Sequence, residues 1–400
     1  MKTPDVHLLT TAAQVQDALP RLGVLPRVAV DCESNGMHAW RGRVCVIQLA
    51  TAETDTRAGE VFLIDALALD DLACLGAFLG SGGPVKVFHD AGFDARILRR
   101  EGVALGRVLD TAVHARFLGA RETGLAAMLD ARFGVKLDKR YQHHDWARRP
   151  LDPGVIEYLV GDVIDLGRLA ASLEEESRAR DIAEEIAEET AYMIDNALRD
   201  AEEDDHHARR PPWTRIKGAR ELGAVGRAVL RELAGVRDAV AQEKDVPPGR
   251  VVSNSALVTA ARARPRSVAE VRKATGVTDD AALKALVAAV ARGVERGDVP
   301  ADERAWLAHE PAPRDLSARR DRERALSSWR AVEAEWRAEE ATRRGVDLQV
   351  VLPGHCLADL AARGARSHDD LRAVAGFGEV RVRRYGDALV GLLAEVDSGA

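Results

Sequence analysis

The sequence predicts an α/β layer domain followed by an all-helical region, and three observations carry that reading. Up to about residue 170, short β-branched runs alternate with stretches of helical periodicity. Beyond Pro211-Pro212-Trp213 the chain is rich in Arg and Ala and reads as helices joined by turns. Within that second part the text repeats at an offset of one hundred positions, the mark of two copies of one small domain.

Taken in order, 28–30, 44–49, 61–64 and 85–88 read as strands, because Val, Ile and Phe dominate runs of strand length. Helices are expected over 70–80, 91–101, 111–119, 123–133 and 153–173. From Glu174 to Asp205 the chain turns acidic, with Glu184-Glu185, Glu188-Glu189 and Glu202-Glu203-Asp204-Asp205, and reads as a solvated helix followed by a linker. In the repeat, Val252-Ser253-Asn254-Ser255-Ala256-Leu257 aligns with Leu352-Pro353-Gly354-His355-Cys356-Leu357. The same offset lays Pro265-Arg266-Ser267-Val268 on Ala365-Arg366-Ser367-His368. The expected limits are 1–195 for the α/β domain, 196–215 for a linker, 216–297 for the first helical copy, 298–322 for a charged spacer and 323–397 for the second copy.

Composition bounds what the chain does. Its 400 residues exceed one hydrophobic core, and 46% apolar with 30% charged residues is ordinary for globular domains. No apolar stretch is long enough to cross a bilayer, and Met1-Lys2-Thr3-Pro4-Asp5 lacks the layout of a secretion signal, so a cytoplasmic location is expected. Cys32, Cys45, Cys74 and Cys356 form no Cys-x-x-Cys pair and read as packed, reduced thiols. A formal net charge of −7 opposes indiscriminate nucleic-acid binding, though it hides local basic patches.

Chemistry concentrates in the first domain. Asp31-Cys32-Glu33 ends the run Val28-Ala29-Val30; an extended chain turns alternate side chains to one side, so both acids project together and Cys32 faces away. Two carboxylates held that close repel unless a cation lies between them. Asp94 begins a helix after Phe88-His89-Asp90-Ala91-Gly92-Phe93, at a strand's C-terminal edge, where α/β sheets bind ligands. Tyr158 and Asp162 are four residues apart on a helix, so a phenol and a carboxylate share one face. Four acids and a tyrosine suit two-metal phosphodiester cleavage, in which two cations about 3.5–4 Å apart activate water and stabilise the phosphate and leaving oxygen. Oxygen-only ligands favour Mg²⁺ or Mn²⁺.

In their order along the chain, Asp-x-Glu at 31–33, His-x-x-x-x-Asp at 89–94, Leu109-Asp110-Thr111 and Tyr-x-x-x-Asp at 158–162 resemble the DEDDy 3′–5′ exonucleases. Gly134-Val135-Lys136-Leu137-Asp138-Lys139 and Asp145-Trp146-Ala147-Arg148-Arg149-Pro150-Leu151 are most similar to the ribonuclease D branch, and the tandem helical copies resemble HRDC domains. The resemblance implies a ribonuclease H-like mixed sheet flanked by helices, then two small all-α HRDC-like domains. It implies that Asp31, Glu33 and Asp162 ligate one of two divalent ions, that Asp31 bridges to the second, that Asp94 supports the second directly or through water, and that Tyr158 positions the attacking water. Asp110 falls outside the implied ligand set and is expected to organise the helix start at Thr111 or to back the site. Where the family has Asp-Thr-Glu this chain has Asp-Cys-Glu, and the segment from Ser34 to Arg43, expected to lie against the terminal nucleotide, departs from the enterobacterial pattern.

What the resemblance implies is a metal-dependent 3′–5′ exoribonuclease that trims tRNA precursors and other structured RNAs to nucleoside 5′-monophosphates, with no organic cofactor and no membrane partner. The competing readings are a DNA exonuclease of the same superfamily and a non-catalytic nucleic-acid scaffold built on the HRDC-like pair. His89 reads as a structural histidine. His143-His144 carries no zinc reading, because adjacent histidines in an extended loop point apart and no further soft ligand is near. Basic clusters at Arg209-Arg210, Arg215-Lys217-Arg220, Arg262-Arg264-Arg266, Arg272-Lys273 and Arg381-Arg383-Arg384 suit a phosphate backbone or, equally, are solvated helix faces. The turn Gly376-Phe377-Gly378-Glu379 offers amides to a phosphate or is a plain turn.

Overall fold

The computed structural model describes residues 4–51, 59–208, 211–308, 335–363 and 367–398. The chain forms two compact units: one of Met1–Glu33, Val44–Ala201 and Arg314–Ala400, the other of Ser34–Arg43 and Glu202–Pro313.

Six strands make the sheet of the first unit: β1 (Asp5–Leu9), β2 (Arg27–Ser34), β3 (Val44–Ala50), β4 (Glu60–Asp65), β5 (Val85–Phe88) and β6 (Val108–Asp110), in spatial order β1-β4-β3-β2-β5-β6. Pairs β1·β4, β2·β5 and β5·β6 are parallel and β3·β4 antiparallel, so the sheet is mixed. Both faces are covered, and the period of two is visible in what each residue joins. Val28, Val30, Cys32, Phe62 and Ile64 enter one core, whereas Ala29, Val61, Leu63 and Val87 enter the other.

The first core lies under α1 (Ala12–Gly23) and α3 (Gly92–Arg100), with the single turn α2 (Gly76–Leu79) beside them. Thr11 and Gln14 close a capping box at the start of α1. The second core lies under α4 (Thr111–Phe117), α5 (Leu125–Phe133), α6 (Pro153–Ile164) and α7 (Leu166–Ala179). β1, α1 and β6 were not among the expected elements; β1 and β6 are short, of five and three residues. The helix expected over 153–173 is two helices, which meet at Asp165. Arg149 explains part of the Asp-Trp-x-x-Arg-Pro stretch: its guanidinium donates to both oxygens of Asp65 at 2.7 Å, to Trp146 O at 2.7 Å and to Cys45 O at 3.0 Å, clamping that stretch to the ends of β3 and β4.

α8 (Ala183–Ala208) is the acidic helix, and it runs through residue 195. It is not a solvated helix on every side: Glu185 is 0% and Glu189 6% exposed. Arginines of the second helical copy account for this. Arg344 lies 3.0 Å and Arg384 3.2 Å from Glu185, and Arg383 pairs with Glu184 at 2.7 Å. That copy consists of α15 (335–344), α16 (Leu348–Val351), α17 (Gly354–Arg363), α18 (His368–Arg372) and α19 (Glu379–Ser398) around Leu352, Cys356, Leu360 and Phe377.

The second unit holds the first helical copy: α9 (Ala224–Glu243), α10 (Pro248–Val251), α11 (Asn254–Ala263), α12 (Val268–Thr275), α13 (Asp280–Arg296) and α14 (Ala301–Ala308). The hundred-residue repeat reappears in its capping, since Ser267 accepts from Glu270 N and Ser367 from Asp370 N at the starts of α12 and α18. Trp213 is 1% exposed in this copy's core and donates Nε1–H to Glu303 Oε2 at 2.7 Å, with Arg231 on the same carboxylate. Residues on both flanks of the expected 216–297 span therefore pack into it. Most of the expected spacer, and Arg209-Arg210, lie outside the described residues.

Candidate active site

β2 delivers the first acids. Because Val28, Val30 and Cys32 occupy one face, Asp31 and Glu33 emerge on the other, where α6 packs through Val155, Leu159 and Val163. One turn of α6 separates Tyr158 from Asp162, and the two share a side-chain hydrogen bond. Carboxylate oxygens of Asp31, Glu33 and Asp162 lie within 4.8 Å of one another, the only such group able to hold a metal among the described residues.

Asp94 stands in the first turn of α3, on the opposite layer, 5% exposed. It is outside the group of three but feels the charge of Asp31, and its Oδ1 is buried with no hydrogen-bond partner. The Cys32 thiol, turned away from its neighbours on the strand, hydrogen-bonds Asp94. The strand thus meets acids on both faces.

Electrostatics follow from burial without a counter-charge. Burial pushes the Asp31 carboxyl up to about 6. Burial, then Asp31, Asp162 and Asp94, push Glu33 up to about 9. Asp162 rises to about 8 through burial and then Asp31, while Asp94 is pushed well above the usual carboxylate range by burial and Asp31. Acids crowd acids here, and a buried carboxylate oxygen lacks a donor; divalent cations relieve both. The donor set, all oxygen, fits such ions.

The surroundings fix the tyrosine. Tyr141 and Trp146 pack against the Tyr158 ring at centroid distances of 5.8 and 5.7 Å. Burial and then Asp162 raise the Tyr158 phenol, which stays protonated and acts as a hydrogen-bonding group. This buttress was not expected; its only trace in the sequence is the Trp of the Asp-Trp-x-x-Arg-Pro stretch.

Asp110 is the helix organiser expected. It is 0% exposed and accepts four backbone N–H bonds, from Asp90 at 3.2 Å, Ala91 at 2.7 Å, Ala112 at 2.8 Å and Val113 at 3.1 Å. The carboxylate therefore caps α4 and also holds the turn that leads into α3 and Asp94. His89 is structural: its Nδ1 lies 2.8 Å from Thr111 Oγ. His144 packs its edge on Tyr141 and Trp146.

The basic cluster at Arg381, Arg383 and Arg384 is engaged within the protein. Arg381 is 0% exposed and donates to the carbonyls of Val350, Phe377 and Gly376, and the other two face acids at the end of α7 and the start of α8. Arg262 and Arg272 also sit in ion pairs, with Glu221 and Asp280. Arg215, Lys217 and Arg220, together with Glu221, line a surface hollow of about 300 Å³ in the second unit.

Residues 6–178 match the family described as 3′-5′ exonuclease, and 226–285 and 330–393 each match the HRDC domain. With the mixed sheet and the acid cluster, these define a 3′–5′ exonuclease carrying two HRDC domains. The ribonuclease D of Jannaschia sp. is 32% identical over 312 residues, covering 74% of this chain and 76% of that protein. That of Nitrobacter hamburgensis is 30% identical over 298 residues, covering 73% and 75%. The crystal structure of Escherichia coli RNase D, an exoribonuclease involved in structured RNA processing, superposes with a TM-score of 0.64 over 98% of this chain and 99% of that one, at 22% identity. A protein from Bifidobacterium adolescentis superposes with a TM-score of 0.69 at 18% identity. The chain belongs to the ribonuclease D family and is a 3′–5′ exoribonuclease.

Proposed function

We propose that the enzyme removes nucleoside 5′-monophosphates one at a time from RNA 3′ ends with two divalent ions, Mg²⁺ or Mn²⁺, held by Asp31, Glu33, Asp94 and Asp162, and that it trims tRNA precursors and other structured RNAs in the cytoplasm. When bound, such ions make water a nucleophile near neutral pH and offset charge on the scissile phosphate. Asp31, Glu33 and Asp162 would hold one ion, with Asp31 bridging towards Asp94 and the second. Tyr158, protonated and pinned by Trp146, would orient the water through its hydroxyl. The three carboxylates within 4.8 Å, all raised by burial, are the observation that carries this reading.

We further propose the limits read from the sequence, a nuclease domain over 1–195, a linker over 196–215, HRDC domains over 216–297 and 323–397 and a spacer over 298–322, with α8 continuing across the first limit and Trp213 and α14 of the flanking segments packing onto the first HRDC domain. The hollow lined by Arg215, Lys217 and Arg220 is the basic feature best suited to grip RNA phosphates in a salt-dependent way.

A mass-resolved digest of a tRNA with a 3′ extension tests polarity, product and stopping point together; products ending in 3′-phosphates would overturn the chemistry. Matched RNA and DNA oligonucleotides separate the DNA-exonuclease reading. Titration with Mn²⁺ separates the scaffold reading, since a scaffold binds no pair of ions. Tyr158→Phe is expected to slow turnover about 10- to 100-fold while leaving Mn²⁺ affinity unchanged, because the phenol is a hydrogen-bonding group and not a ligand. An unchanged rate in single-turnover assays would remove Tyr158 from the reaction.

A further inference from the structure

Acids on the buried side of α8 meet the second helical copy, and one of them sits where that copy's hairpin turn presents its amides. Glu188 Oε1 accepts a hydrogen bond from Val380 N–H at 3.0 Å. The turn, Gly376-Phe377-Gly378-Glu379, leads into α19 with left-handed φ of 77° at Gly376 and 80° at Gly378. A Cβ at Gly378 would collide with the Glu188 carboxylate, and one at Gly376 would come within 2.5 Å of His355 Nε2 and 2.7 Å of the Tyr192 ring. Glycine at 378 is therefore required twice, for its backbone angle and for the room it leaves a carboxylate.

The first copy supplies the comparison. The hundred-residue offset sets Gly276 against Gly376 and Thr278 against Gly378. Gly276 has φ of 74°, yet nothing lies within 4 Å of where its Cβ would be. So the first copy keeps only the conformational need for glycine and retains a side chain at 278, while the second has none at the position the carboxylate enters. Glu188 itself is half-buried, with Oε2 shielded and without a hydrogen-bond partner, and its neighbours are packed: Glu185 is enclosed by Arg344 and Arg384, Glu189 lies 3.3 Å from Arg116, and Val350 shares a core with Ile186 and Phe117. A charge-assisted bond shielded in this way is stronger than its surface counterpart.

We propose that the Gly376–Val380 turn is a carboxylate receptor for Glu188, an intramolecular lock that fixes the second HRDC domain to the nuclease and leaves no space for an RNA phosphate at that turn. In the full chain, Glu188→Ala is expected to lower the thermal midpoint by about 5 °C. Acetate, at an ionic strength held constant with chloride, is expected to restore most of the loss by occupying the vacated position. Glu188→Gln keeps the acceptor and loses the charge, so it is expected to fall between the two without acetate rescue. Gly378→Ala should lose stability that acetate cannot restore, and Glu184→Ala, which breaks an exposed pair on the same helix, should leave the midpoint unchanged. A wild-type midpoint in both Glu188 variants, or equal recovery in chloride and acetate, would overturn the lock. So would added RNA slowing amide exchange at 376–380 in the wild-type chain, because it would place RNA on the turn.

Discussion

Asp31→Asn is expected to abolish the shortening of 3′-labelled RNA and, in metal-free buffer, to make the folded protein more stable. The two effects have opposite signs because one carboxylate does two things. As the proposed ligand it would hold ions worth several kcal/mol to the transition state, so its loss is expected to slow cleavage about 1,000-fold or more. As a charge it sits at the centre of a group of buried acids, raising Glu33, Asp162 and Asp94. Burial, and for Asp162 and Glu33 repulsion as well, holds Asp31 up to about 6, Asp162 up to about 8 and Glu33 up to about 9, all above the ordinary carboxylate range. Between those limits the folded state binds more protons than the unfolded one, so stability is present at acid pH and is lost as pH rises towards 9. The metal-free wild type should therefore weaken between about pH 5 and pH 9, and Mn²⁺ should recover the loss while releasing protons. Asp31→Asn should flatten that slope, gain on the order of 2 kcal/mol in chelator near pH 8, and show almost no Mn²⁺-induced rise in thermal midpoint. Equal midpoints for variant and wild type in chelator at that pH would show that the acids do not strain the apo fold.

Asp110→Ala is expected to produce the largest loss of stability in the nuclease domain, about 3–5 kcal/mol by urea unfolding. Four N–H groups lose their acceptor at once, in a site that water does not reach. Two of those groups belong to Asp90 and Ala91, just ahead of the helix that carries Asp94, so activity should also fall even where the variant remains folded. Asp110→Asn keeps an acceptor oxygen but not the charge, and should lose roughly half as much. A loss under about 1 kcal/mol in the alanine variant would mean that the turn finds other partners.

Much of the active site was legible because its geometry is local. Strand alternation alone sets Asp31 and Glu33 on one side, and helical spacing alone pairs Tyr158 with Asp162; the fold then brings the two elements together. Asp110 was legible for the same reason, as an acid directly before a short helix. What escaped was set by tertiary contact. The acids of α8 resemble a solvated run because nothing nearby in sequence reveals that Arg344 and Arg384 will cover Glu185. The basic cluster ending in Arg384 was misleading for the mirror-image reason. β1 and β6 are short edge strands whose residues carry little periodic signal, and Trp146 acquires its place against Tyr158 only once the chain is folded.

β2 has a neighbouring strand on each side and a hydrophobic core on each face. A segment so bracketed cannot shift sideways or bow outward without breaking the sheet, so the backbone that carries its two acids is in place before any ion arrives. The ions of the proposed function would then meet a preset strand on one side and α6, with Asp162, on the other, and side-chain torsions alone would have to adjust on binding.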